Sequence, residues 1–178
     1  MRRRLASIAV IIGLAVVLTA CSPPFIGTIG VERNDDGTLT VLIRVCRDYV
    51  ETLIVDPINS FPNAKNGAPL SDRWESVPNI EFPLSPAVES AADVPFPVDE
   101  ADLETYVLYR LWAGSREGNA FSGQFGASEL AALKPGEVLA GPTRDDEESE
   151  YVRDDGRGGT FMIVSRDAFE ERAEEFCT

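Results

Sequence analysis

Ile26-Gly27-Thr28-Ile29-Gly30-Val31, then Asn34-Asp35-Asp36-Gly37, then Thr38 to Cys46 reads as strand, turn, strand. An Asp-Gly step between two runs of β-branched residues is a strong local hairpin signal. In the second arm Val41, Ile43 and Val45 fall on one face and Leu42, Arg44 and Cys46 on the other, because successive side chains of a strand point to opposite sides. The first set is predicted to line the core. A third strand is expected at 51–55, halted by Asp56-Pro57, and this order suits an antiparallel sheet.

Residues 57–97 carry eight of the 12 prolines, at 57, 62, 69, 78, 83, 86, 95 and 97. Proline lacks the N–H that a ladder needs, so strands here should be short, at an edge or bounded by turns. The candidates are 73–77 and 79–84, while 61–70 offers little to bury and disorder is the alternative there. Residues 104–113 form the clearest later strand, with Tyr106, Leu108, Arg110 and Trp112 on one side and Val107, Tyr109 and Leu111 on the other. Both sides are apolar enough for a central place. A turn at 114–118 leads to a partner strand at 119–125, followed by a short helix through Leu133 with Ser128 as N-cap. Val138-Leu139 adds a brief strand. The acidic stretch 145–155 reads as a solvated loop or wide hairpin leading to an apolar strand at 160–164. The last element is a helix capped by Ser165, with Phe169, Ala173, Phe176 and Cys177 on one face.

Upstream of the hairpin, Met1-Arg2-Arg3-Arg4 precedes an apolar run from Leu5 to Leu18, which closes on Leu18-Thr19-Ala20-Cys21 and a turn-forming Ser22-Pro23-Pro24. The run has the length of a signal-peptide core, whereas a membrane span needs about twenty apolar residues. This stretch resembles the bacterial lipoprotein signal, whose lipobox is cut before the cysteine. The resemblance implies cleavage between Ala20 and Cys21 and a diacylglyceryl group on the Cys21 thiol. One acyl chain binds a bilayer only marginally and two hold it firmly, at about 0.8 kcal/mol per buried methylene. An ordinary secretory signal or an uncleaved anchor is the alternative. The expected organisation is a signal peptide at 1–20, the lipidated Cys21 and a short tether at 21–24, and a single β-rich extracytoplasmic domain at 25–178.

The formal charge is −14, and it becomes three units more negative once Arg2, Arg3 and Arg4 leave with the signal. Such a surface excludes nucleic acid, whose phosphates need Lys and Arg. It also disfavours lying flat on anionic lipid. Solubility explains the charge; a cationic partner or divalent ions are the sharper reading. With Cys21 assigned to lipid, Cys46 and Cys177 remain as an even pair in an oxidising compartment, where a disulfide is expected. Two free buried thiols are the alternative.

There is no histidine. That removes Ser-His-Asp and Cys-His catalysis, histidine-based zinc hydrolysis and haem ligation by histidine. Phosphate-loop, dinucleotide, Ser-x-x-Lys and Cys-x-x-Cys motifs are also missing, and no cofactor is implied. Paired carboxylates could hydrolyse a glycosidic bond, but among 30 acids the sequence selects no pair. Calcium could use Asp145-Asp146-Glu147-Glu148 or Asp154-Asp155, though neither has EF-hand spacing. Tyr106, Tyr109, Trp112 and Trp74 could stack on a ligand, with core packing as the plainer role. Arg44, Arg110 and Arg116 could hold a carboxylate, with the chain's own acids as the plainer partners.

Gly27 to Val31, the turn and strand from Asn34 to Cys46, the strand 104–113 and Leu130-Ala131-Ala132-Leu133-Lys134-Pro135-Gly136 together resemble a group of actinobacterial lipoproteins. The resemblance implies a β-sandwich envelope protein and carries over no activity and no binding residues. The expectation is therefore a mainly β chain, an antiparallel sandwich with a possible Ig-like layout and a C-terminal helix, after a cleaved signal helix. Its function is expected to be that of a lipid-anchored, non-catalytic module on the extracytoplasmic face of the cell membrane, contacting an envelope protein, a cell-wall polymer or a small ligand. A histidine-free hydrolase and a structural spacer are the alternatives.

Overall fold

The hairpin forms around its turn. In the computed structural model β1 (Phe25–Arg33) and β2 (Leu39–Val45) pair antiparallel from Gly27↔Val45 to Arg33↔Leu39. Gly37 takes φ +85°, a conformation that a side chain disfavours. Asp36 fixes the turn by accepting from the Thr38 amide at 2.9 Å and the Thr38 hydroxyl at 2.6 Å. These hydrogen bonds hold the Asp36 carboxyl below its ordinary pKa.

The structure describes residues 24–60, 78–105, 107–141, 153–154 and 160–178. The signal segment with Cys21, the candidate strand 73–77 with Trp74, the stretch 61–70, Tyr106 and the acidic run 145–152 lie outside the described residues. Among those described, the chain is mainly β with a C-terminal helix. The further strands are β3 (Val50–Ser60), β4 (Ile80–Val88), β5 (Ala91–Pro95), β6 (Val107–Gly114), β7 (Asn119–Phe125), β8 (Glu137–Ala140), β9 (Arg153–Asp154) and β10 (Thr160–Ser165). Two helices follow strands: α1 (Ala127–Ala132) and α2 (Arg166–Phe176).

These strands join one nearly closed sheet in the order β4-β3-β6-β7-β1-β8-β10-β9, with β2 and then β5 branching from β1. The branch arises because β1 has two partners along one edge. Phe25–Thr28 runs beside β7, and Gly30–Glu32 runs beside β8. Both arms turn apolar side chains onto a shared core: Ile29, Val31, Val41 and Ile43 from one, Leu53, Val55, Tyr109 and Leu111 from the other. Val41, Ile43 and Val45 do face this core, and Leu42 faces away, into a second cluster with Val138, Ala140 and Phe169. Alternation of side chains alone dictates that split.

The structure corrects several sequence expectations. β3 does not stop at Asp56-Pro57 but runs on to Ser60. β6 supports it along its length, with an irregularity in register between Pro57 and Asn59, and the described β4 pairing reaches only Val55, so the absent proline N–H interrupts no ladder on that side. β4 continues past Leu84 to Val88 through a cis Ser85-Pro86 bond, as an edge strand. β5 was not foreseen; it pairs antiparallel with β2. Glu104 and Thr105 precede β6, after a short 3-10 turn at Glu100–Asp102 capped by Asp99. The cap of α1 is Gly126, not Ser128, because Glu129 reaches back to accept the Gly126 N–H at 2.8 Å. Among the described strands, β1 and β7 pair parallel and the other pairs are antiparallel.

Candidate functional site

The polarity of β1 organises the surface. A strand of this length spans about 26–30 Å, at 3.2–3.4 Å per residue. At its beginning Ile26 accepts from the Cys46 amide at 2.8 Å, which brings the end of β2 alongside. Cys46 and Cys177 are joined there, with an S–S distance of 2.09 Å and Cα atoms 4.9 Å apart. The bridge ties the end of α2 to the beginning of β1.

Helix α2 lies over the β2–β1–β8 part of the outer face. Ser165 caps it by accepting the Ala168 N–H at 3.2 Å, and Phe169 and Ala173 are buried beneath it. A Cβ on Gly30 would stand 3.0 Å from the Phe169 ring and 2.6 Å from Val138, so only glycine lets the helix approach this closely. The helix's first two turns are clasped by charge. Arg44 grips both oxygens of Glu170 and reaches Asp93 at 2.9 Å. Arg166 binds the buried Glu32 at 2.6 Å and also contacts Asp93. Burial pushes the Asp93 carboxyl up, but the bonds and charges of Arg166 and Arg44 outweigh it and hold Asp93 below its ordinary pKa. The hydrogen bond to Glu170 raises Arg44, and the bond to Asp93 raises Arg166. Asp93 is thus driven toward its charged form, the reverse of what a general acid needs.

Beside the helix the same outer face carries aromatic rings. Thr28 stands opposite Phe121, which stands opposite Trp112. Phe25 meets Phe121 edge-on with centroids 5.3 Å apart, and Arg110 lies over Phe121 at 4.9 Å while bonding Asp56 at 3.0 Å. Phe25 is 63% exposed, and Trp112 and Phe121 are half-buried. Phe176, 41% exposed, shares a small recess with Thr28 at the end of α2. These rings collect at the beginning of β1.

The far end of β1 is different. Arg33 donates to both oxygens of Glu100 at 3.0 and 2.9 Å, to the Leu130 carbonyl at 2.6 Å and to the Gly37 carbonyl at 2.8 Å. One guanidinium thus joins the hairpin tip, the 3-10 turn and α1. Between the last two lies an open groove lined by Asp99, Glu100, Leu103, Thr105, Ala127 and Ser128. Asp35, Asp36 and Asp102 add to the acids at this end.

No family model matches the chain, and comparison with curated proteins and with solved structures gives no match. The site therefore stands on its own geometry. Among the described residues no three Cys, Asp or Glu side chains gather as a metal-holding group, and no helix is long and apolar enough to cross a membrane.

Of the residues singled out in the sequence, Cys46 and Cys177 meet near the beginning of β1. Cys21, Trp74, Tyr106 and the acids 145–148 and 155 fall outside the described residues. Tyr109 belongs to the core, its hydroxyl accepting the Glu104 N–H at 2.8 Å. Arg44 and Arg110 pair with the chain's own acids. Sequence reasoning missed Phe25 and Phe121. Their meeting depends on the parallel β1–β7 pairing, and the local hint in the sequence is the apolar Phe25 that follows Pro23-Pro24.

Proposed function

We propose that the chain is a lipid-anchored cell-envelope protein whose β-rich domain is a non-catalytic binding module on the extracytoplasmic face of the membrane. The lipobox ending at Cys21 supports the anchor, and the Cys46–Cys177 pairing suits an oxidising compartment. The observation that carries the reading is the placement of the two ends of β1. Phe25 lies four residues after Cys21, while Arg33, at the other end, ties together the 3-10 turn and α1 that flank the groove. An anchor at one end and a groove at the other is the layout of a presented binding surface. The exposed Asp99 at the rim, over Leu103 and Ala127, suits a cationic segment of an envelope protein better than an anionic polymer. The two arms of the sheet around one core support a β-sandwich for the module.

The hydrolase reading loses ground on two counts. The acids that come together at α2 are neutralised by Arg44 and Arg166, and Glu100 in the groove is engaged by Arg33. Cell fractionation tests the anchor. Wild type should stay with membranes and Cys21→Ser should leave them; identical fractionation would refute it. Crosslinking in intact cells should then recover an envelope protein through the groove end.

A further inference from the structure

We propose that the aromatic collar of Phe25, Phe121, Trp112 and Phe176 is a membrane-contacting surface that seats the anchored domain in the headgroup region of the bilayer. The inference rests on lipidation of Cys21 and goes beyond it, since an anchor alone leaves the domain free to tumble on its tether.

Reach fixes the partner. Three residues lie between Cys21 and Phe25, and the four steps of fully extended chain span at most about 14 Å. If the thiol carries acyl chains in the bilayer, Phe25 is held at the headgroup layer and the rings around it are held close by. Phe25 is 63% exposed although it is the largest apolar side chain at the start of β1, and Phe176 is 41% exposed at the end of α2. The disulfide keeps that end of the helix at the same end of the sheet. Phe121 and Trp112 continue the band across β7 and β6, in register with Thr28 beneath the recess that Phe176 lines. Trp112 suits the membrane–water boundary, where its apolar body and its indole N–H are both satisfied, and the phenylalanines supply the apolar surface that enters it.

Cations accompany the rings. Arg47, whose guanidinium donates to the Phe25 carbonyl at 3.3 Å, and Arg110, which lies over Phe121, stand at the collar. Asp35, Asp36, Asp99, Glu100 and Asp102 stand at the other end. Exposed acids also stand at the collar end, Asp48, Glu117, Glu174 and Glu175, so the rings and the short tether, rather than charge, select the orientation. The groove then faces away from the bilayer.

Depth-resolved quenching reads this directly. The mature protein purified from membranes is reconstituted in phosphatidylcholine–phosphatidylglycerol vesicles carrying a nitroxide near the headgroup. The sequence has two tryptophans, so Trp74→Phe leaves Trp112 as the only indole. Its emission should shift to the blue and be lost to the nitroxide, and adding Phe25→Ser, a substitution at an exposed position, should restore much of it. As the reference for the far end, Asp35→Trp in a Trp74→Phe/Trp112→Phe background should keep its emission. Equal quenching at the two positions, in protein whose Cys21 is shown by mass to carry lipid, overturns the collar and leaves the anchor standing. An unmodified Cys21 overturns the anchor, and the collar with it.

Discussion

One outer face of the sheet is finished in two ways. Over β2, β1 and β8 it is covered by α2, and the fit is made by Gly30, Leu42 and Val138 lying flush beneath Phe169. Over β1, β7 and β6 the same face presents Phe25, Phe121 and Trp112, with a cation stacked on the middle ring. The first half is shaped for a permanent cover, since its glycine serves no purpose except close approach. The second half keeps large rings partly in water, where they contribute little to folding. The contrast teaches that one half of the face is shaped for the protein's own helix, while the other carries rings that no element among the described residues covers.

The sharpest way to break the contrast is to release the covered half. Replacing both Cys46 and Cys177 by alanine opens a loop with a sequence separation of 131. In the chain-entropy model that costs about 5 kcal/mol, an upper figure. Urea unfolding should show the midpoint fall by a large fraction of the total stability. Next in size is Phe169→Ala, expected to cost about 3–5 kcal/mol because the ring is fully enclosed. Phe25→Ser, on the open half, should stay within about 0.5 kcal/mol. Equal losses for the two phenylalanines in the same denaturation assay would erase the distinction.

The smallest effect is the pH dependence of the clasp. Asp93 is held below its ordinary value of 3.8 in the folded chain, so its contribution is present above that value and is lost as pH falls through the lower folded pKa. Stability measured by urea midpoint should therefore decline on acidification below about pH 4. Asp93→Asn should flatten that decline. A slope unchanged by the substitution would remove Asp93 from the clasp.

What could be read from the sequence was whatever local chemistry determines. Asp36-Gly37 set the turn, strict alternation sorted Val41, Ile43 and Val45 from Leu42, and Ser165 with the spacing of Phe169 and Ala173 marked the last helix. Counting cysteines left Cys46 and Cys177 together, and the structure joins them. Pairing between distant strands was not legible. Nothing near β1 says that its first half runs parallel to β7 or that β5 borders β2, and the Phe25–Phe121 contact and the groove held by Arg33 both follow from such distant meetings. Pro57 and Ser128 misled for a related reason. Each was judged by its own propensity, while the outcome was set by neighbours: β6 supporting β3 past the proline, and Glu129 reaching back to Gly126.

The molecule's two-ended design depends on what happens at Cys21. Mass spectrometry of the amino-terminal peptide, released from membrane extracts, measures it directly. The account predicts a peptide that begins at Cys21 and carries a diacylglyceryl group, with further acylation of the new amine where the cell performs it. A peptide that begins at Met1, or one in which the Cys21 thiol is free, would contradict it.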